Sequence, residues 1–488
     1  MNKAVGAIDG CDNAQLDAFR TQEAHRMQHE RTPSPHRHER GGKSSPAASG
    51  VSSSAGGVIA LCAGGLALLA STAAGAAPAA DSTVAASAIS AGDTAWMLTS
   101  TALVLMMTLP GLAFFYGGLV RKKNILGTMT QVFIVAAVVS VLWFAVGYTL
   151  AFASGSPMIG SFDMNLNLPF LPKGDRIPVH ALAPHIPAPA FALFEGAFAI
   201  ITGALIVGAF AERVKFGVVA LFCGLWSVLV YAPVAHWVWH PEGWLYAMGV
   251  RDFAGGMVVH VNAGAAGLAC ALVAGPRHGY GREPMIPSNL AYMLIGAALL
   301  WIGWFGFNGG SALEANGAAS LAMVNTQIAA SLAAVVFVLC EWMMKGQASL
   351  VGMSTGAVAG LVAITPAAGF VGVDAAYLFG TVGGFVAFAS LLWLKPLLNI
   401  DDSLDVFAIH GMVGIVGSLL TPFFTIAELA GAKGQPQAEA IGVAAVLGYS
   451  FAVSWLLMKG LDLFVGVRVK RGEEQDGLDL SQHGEQVE

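Results

Sequence analysis

The sequence predicts an all-α polytopic membrane protein with eleven transmembrane helices, built as an inverted 5+5 repeat plus a final helix. Three observations predict it. Of 488 residues, 56% are hydrophobic and only 11% are charged, against about 25% charged in a soluble protein. Eleven apolar stretches approach or exceed the roughly 20 residues that a spanning helix needs. Finally, two histidines sit inside apolar, glycine-rich spans with matching surroundings: His260 in VVHVNAGAAGL and His410 in FAIHGMVGIVGSL. Each opens the pattern His-x-x-x-Gly-x-x-Gly, as His260, Gly264, Gly267 and His410, Gly414, Gly417. Ionisable side chains are costly within a bilayer and usually face a cavity or pathway there. A matched pair in two halves of a chain points to a transporter-like site at the repeat interface.

Residues 1–57 are polar, without apolar period, and read as a disordered extension. Val58 to Ala70 is a short apolar run, and small residues follow it. A basic lead, an apolar run of roughly 7–15 residues and a small-residue cleavage site describe a secretory signal. Residues 58–76 are therefore expected to be that signal, with Ala74-Gly75-Ala76 as cleavage site and Met27 as an alternative start. Residues 77–93 form the mature N-terminal segment. The spans are expected at about 94–120, 125–153, 189–212, 216–240, 252–274, 288–308, 321–344, 349–370, 375–398, 405–427 and 438–467. The spanning domain thus covers 94–467, and 468–488 is a tail. Cys223, Cys270 and Cys340 are isolated on apolar spans, which fits packing; Cys11 and Cys62 lie in the extension.

Cleavage leaves the new N-terminus outside, and the basic residues test the alternation that follows. Loops expected inside, with the tail, hold Arg121, Lys122, Lys123, Arg213, Lys215, Arg277, Arg282, Lys345, Lys395, Arg468, Lys470 and Arg471; those outside hold Lys173, Arg176, Arg251 and Lys433. This bias fits the positive-inside rule and puts the C-terminus in the cytoplasm of a multi-pass inner-membrane protein. Spans one to five and six to ten then run with opposite topology. His260 and His410 each lie on the last span of a half, so opposed helices can bring the imidazoles together near the midplane.

A neutral imidazole both donates and accepts a hydrogen bond, and its ordinary pKa of about 6.5 is near neutrality. Two of them can line a path for a small polar solute or pass a proton. Histidines bonded to backbone, or a bis-histidine haem, are the competing readings. Asp252 and Asp405 begin helices, where a carboxylate opposes the helix dipole; Asp252 also sits where it can draw cations. The stretch WIGWFGFNGGSA, residues 301–312, closes the sixth span with Trp304, Phe305, Phe307 and Ser311. Aromatic side chains at a membrane end are usually interfacial anchors, which fits Trp301. An indole face also attracts a small cation, and a serine hydroxyl accepts a hydrogen bond. Together they suit a cation that carries N–H donors. The sequence offers no carboxylate dyad, nucleophile triad or phosphate loop, so no catalytic residue, metal or cofactor is expected.

From about residue 93 onward the chain resembles the ammonium transporter family (Amt/Mep/Rh), particularly its bacterial Amt branch. The resemblance is carried by PGLAFFYGGLVRKKN, ALIVGAFAERVKF, DFAGGMVVHVNAG, GWFGFNGGSA, DDSLDVFAIHG and GLDLSQHGE, in order. It implies a homotrimer with a central pore in each subunit, embedded in lipid and without nucleic-acid partners. It implies an outer ammonium site formed by Phe198, Trp239 and Ser311, with Asp252 bound or in support. Phe198 and Phe307 are the expected gate rings, and Trp304, His260 and His410 are the expected pore lining. Glu195, one turn before Phe198, is a polar or acidic variant beside that gate; if ionised and facing the mouth, it would raise the local cation concentration. The tail from Arg468 to Glu488 resembles a segment that couples subunits and binds a cytoplasmic PII nitrogen-signalling protein. The resemblance implies conduction of ammonia after deprotonation of ammonium. A Rhesus-like gas channel for ammonia or carbon dioxide, or an ammonium sensor, are its alternatives.

Overall fold

Eleven apolar helices follow one another in the computed structural model, which describes residues 82–162 and 170–487. The expected polar extension and signal segment, residues 1–76, lie outside the described residues. Among the described residues, ten helices are long and apolar enough to cross a membrane: Ala91–Leu119, Lys122–Phe152, Ala188–Phe210, Phe216–Met248, Gly256–Ala274, Leu290–Gly310, Gly317–Lys345, Val373–Leu398, Phe407–Phe424 and Pro436–Val465. The eighth in chain order, Leu350–Ile364, is shorter. It ends before the expected 370 because residues 365–371 leave the helix in tight turns. They are numbered here as spans 1 to 11.

The two halves mirror each other in packing. Span 2 packs on spans 3 and 4, and span 7 packs on spans 8 and 9. Spans 1 and 6 meet across the halves, and so do spans 5 and 10. Glycine makes the first contact close: a Cβ on Gly296 would lie 2.1 Å from the Phe115 nitrogen, and one on Gly303 2.5 Å from Met107 Cβ. Without a hydrophobic drive between helices in lipid, such close van der Waals contact is what holds them. Span 11 stands outside the repeat and packs on spans 4, 5 and 10.

The end of the bundle that holds the expected inner loops is tied by a buried ion network. The motif ALIVGAFAERVKF supplies its centre. Arg121 bonds Glu212 through its amide at 2.9 Å and its Nε at 2.5 Å. Arg277 bridges Glu212 at 3.5 Å and Asp401 at 2.8 Å. Arg213 donates to the carbonyls of Gly275 and Asp401 at 2.7 and 2.6 Å. Burial alone would raise the Asp401 carboxyl, but hydrogen bonds from Arg277 and the charges of Arg213 and Arg277 outweigh it and hold it low. Buried charges persist only when paired and hydrogen-bonded, and here the pairing links four loops.

The tail is docked on this same end. Val469 donates to the Arg213 carbonyl, and the Arg468 guanidinium clasps Glu474 at 2.8 Å. Leu478 donates to Asn124 Oδ1 at 2.8 Å, and Gly127 donates to Asp479 Oδ1 at 2.7 Å.

Candidate functional site

Spans 5 and 10 open on wide π-type turns, Gly256–Val261 and Phe407–Met412, and each turn carries one histidine. The glycines of the repeated motif let these turns cross. A Cβ on Gly264 would lie 2.3 Å from Gly411 Cα, and one on Gly414 would lie 3.0 Å from His260 Cβ. The crossing sets the two imidazoles edge to edge, with Nδ1 of His260 and Nδ1 of His410 3.2 Å apart. One nitrogen of such a pair must donate and the other accept. The rings therefore hold complementary tautomers, joined through one shared proton. Among the described residues no group bonds His260 Nε2, and both rings are buried.

Four aromatic rings lead toward that pair from the opposite end of the bundle. Phe198 of span 3 stacks on Phe307 of span 6 at 4.2 Å between centroids and 27° between planes. Neither ring is more than 1% exposed. Trp239 of span 4 meets Phe198 edge-on at 5.9 Å and is itself partly exposed. Below the stacked pair, Trp304 lies parallel to His260 at 5.4 Å, its N–H held by Thr365 Oγ1 at 2.9 Å. A largely apolar cavity lies here, lined by Phe307, Trp304, both histidines, Phe115 and Tyr116, with aliphatic side chains of spans 1, 3, 6 and 8. Ser311 follows Phe307 by one turn and donates its hydroxyl proton to the Phe307 carbonyl at 2.8 Å. Its oxygen keeps its acceptor capacity toward an N–H donor.

The Asp252 carboxylate is engaged by backbone amides. Its Oδ1 accepts from the amides of Gly255 and Gly256 at 2.8 and 2.6 Å, and its Oδ2 from Met257 and Val258 at 2.8 and 3.1 Å. A carboxylate has about four lone-pair sites, and four amides fill them. Of the two roles open to Asp252, bound or in support, these bonds fit support: it caps the turn that carries His260. Its carbonyl also accepts from the Trp239 indole at 2.8 Å, fixing that ring. Burial raises the Asp252 carboxyl above its usual range, against the four opposing amides.

The cap expected of Asp405 falls to a neighbour. Asp402 Oδ2 accepts from the Phe407 amide at 2.7 Å, while Asp405 pairs with Lys395 from a left-handed backbone, φ +62°. Span 10 therefore starts at Phe407, two residues later than expected. Nothing in the sequence singles out Thr365, one of several hydroxyls on the expected eighth span. Tyr231 was missed likewise; it lies buried on the π-type turn of span 4.

The family model described as Ammonium Transporter Family matches residues 95–488. The chain belongs to the ammonium transporter family. It is 43% identical over 405 residues to the ammonium transporter of Bacillus subtilis, covering 81% of this chain and 98% of that protein. It is 45% identical over 405 residues to the ammonium transporter of Aquifex aeolicus, covering 81% and 93%. Among solved structures, Mep2 of Candida albicans is 34% identical with a TM-score of 0.72, over 79% of this chain and 88% of that one. A sensor Amt protein is 28% identical with a TM-score of 0.74, over 80% and 98%.

Proposed function

We propose that the protein recruits ammonium at the aromatic end of the bundle, strips its proton and conducts ammonia past His260 and His410. The observation that carries this reading is the Nδ1–Nδ1 contact of 3.2 Å at the far side of an apolar cavity closed by stacked phenylalanines. The indole of Trp239 offers cation–π attraction, and the Ser311 oxygen offers an acceptor. Passage beneath the rings removes water, and desolvation of a fully buried amine favours its neutral form by up to about 3–5 pK units. Potassium has no neutral form, so the same step rejects it. The tautomeric histidine pair then offers one unshared nitrogen to ammonia and one route for a proton. The basic loops face the cytoplasm in this reading. Membership of the family supports assembly as a homotrimer in the inner membrane, and the docked tail is the surface offered to a PII signalling protein.

The test is transient current from liposomes on an ammonium jump, with an equal potassium jump as control. Current with ammonium alone supports selective transport with charge movement. Neutral ammonia entry shows instead as internal alkalinisation without current, and equal currents would refute deprotonation as the basis of selectivity. A sensor reading is favoured by one observation, the tail docked through Lys123, Asn124 and Asp479. Ammonium-dependent protection of that tail from proteolysis, without flux, would select it.

A further inference from the structure

Glu195 is the only acidic side chain on span 3, which is otherwise apolar or small from Ala188 to Phe210 apart from Thr202. It lies one turn before Phe198 and is 8% exposed, and its Oε2 has no protein partner. Among the described residues no ion pair includes it, unlike the carboxylates of the ion network at the other end. Its direction follows from its neighbours. Phe194 leans toward span 6, since a Cβ on Gly310 would lie 2.7 Å from the Phe194 ring. Residues 194 and 195 flank the line of Phe198 on opposite sides, so Glu195 leans toward span 4, which carries Trp239 and Tyr231. The Tyr231 hydroxyl is also buried without a partner among the described residues. The remaining groups near this turn do not supply a charge. Trp143 of span 2 spends its N–H on the Ala192 carbonyl at 2.9 Å, with Tyr148 behind it, and His180 stacks on Phe191 at 4.5 Å. An unpaired buried carboxyl is costly, and it stands beside the ring that a cation must pass.

We propose that Glu195 is the proton acceptor of the outer gate. This rests on the transport reading above. The cycle starts with Glu195 as the neutral acid. Arrival of ammonium at Trp239 drives the carboxyl proton to the outer solution, leaving a carboxylate paired with ammonium. One N–H bond of ammonium then breaks, its proton bonds to the carboxylate oxygen, and ammonia moves beneath Phe198. Glu195 is again the neutral acid. The sum is ammonium outside giving ammonia in the pore and one proton outside, with atoms and charge balanced. Potassium can displace the carboxyl proton but cannot return one, so it stays outside the gate.

The test compares wild type, Glu195→Gln and Glu195→Asp, each checked for unchanged elution in detergent. Glutamine keeps the size and cannot take a proton; aspartate can. Ammonium uptake by liposomes should fall about a hundredfold in Glu195→Gln, the low end of what a positioned proton-transfer group contributes. It should recover in part in Glu195→Asp, and its dependence on outer pH should flatten in Glu195→Gln alone. Infrared difference spectra on adding ammonium chloride to the detergent-solubilised protein should show loss of a carboxylic-acid carbonyl band in wild type and none in Glu195→Gln. Uptake and pH profile unchanged in Glu195→Gln would overturn the assignment, and so would identical infrared differences. A wild type that shows the band change but no flux would sink the transport reading while upholding Glu195 as the ammonium-linked carboxyl.

Discussion

Replacing Gly264 by alanine puts a methyl group where the two histidine-bearing helices cross. That carbon would lie 2.3 Å from Gly411 Cα and 2.4 Å from the Gly411 nitrogen. Carbon atoms in contact prefer about 3.5–4.0 Å, so spans 5 and 10 must part by about 1 Å at the crossing. The imidazoles ride on these turns, 3.2 Å apart at Nδ1. Parting by about 1 Å takes them beyond the roughly 3.5 Å limit of a hydrogen bond. The expected cost is about 1 kcal/mol for the lost bond and about 1–3 kcal/mol for overpacking. Thermal unfolding in detergent should shift down, and ammonium flux in liposomes should fall at least about tenfold. Gly217→Ala is the control, because a Cβ there meets nothing within 4 Å. If Gly264→Ala matches that control in both stability and flux, the crossing does not set the histidine geometry and the argument from close glycine contact is wrong.

Trp239→Leu removes a cation–π contact of about 0.5–2 kcal/mol. The ammonium concentration for half-maximal flux should therefore rise about twofold to thirtyfold; an unchanged value would exclude Trp239 from recruitment. Arg277→Ala leaves Asp401 and Glu212 each short of a buried partner. Denaturation in detergent should show a loss of about 3–5 kcal/mol, and a loss below about 1 kcal/mol would mean the network relaxes without strain. Burial, with the neighbouring Asp405, pushes the Asp402 carboxyl up to about 6 against Lys395. A carboxyl raised on folding binds its proton more tightly in the folded state, so stability falls as pH rises from about 4 through about 6 and then levels off. Asp402→Asn should flatten that segment of a plot of melting temperature against pH, and parallel curves for the two proteins would remove Asp402 as its source.

Composition and periodicity by themselves determined the class and span number, because water exclusion from the bilayer forces long apolar helices whatever they pack against. The repeated His-x-x-x-Gly-x-x-Gly was likewise legible, since a costly ionisable group in an apolar run stands out in one dimension. Its glycines were visible too, but only the fold shows Gly264 against Gly411 as the crossing that meets the two rings. Span starts were misplaced where capping decides them. Asp252 and Asp405 occupy similar sequence positions, yet Asp252 binds four amides while Asp405 turns to Lys395 from a left-handed backbone. Backbone path, which no local pattern reports, chooses between those outcomes. The tail was legible only through its resemblance to a coupling segment, and its docking on Asn124 and Gly127 depends on residues more than 300 positions earlier in the chain. Glu195 shows the same division. Its presence beside the gate is a fact of sequence; that its Oε2 is buried without a partner is decided by the packing around span 3. Residue type sets what chemistry is available, and long-range packing sets which atoms are left free to perform it.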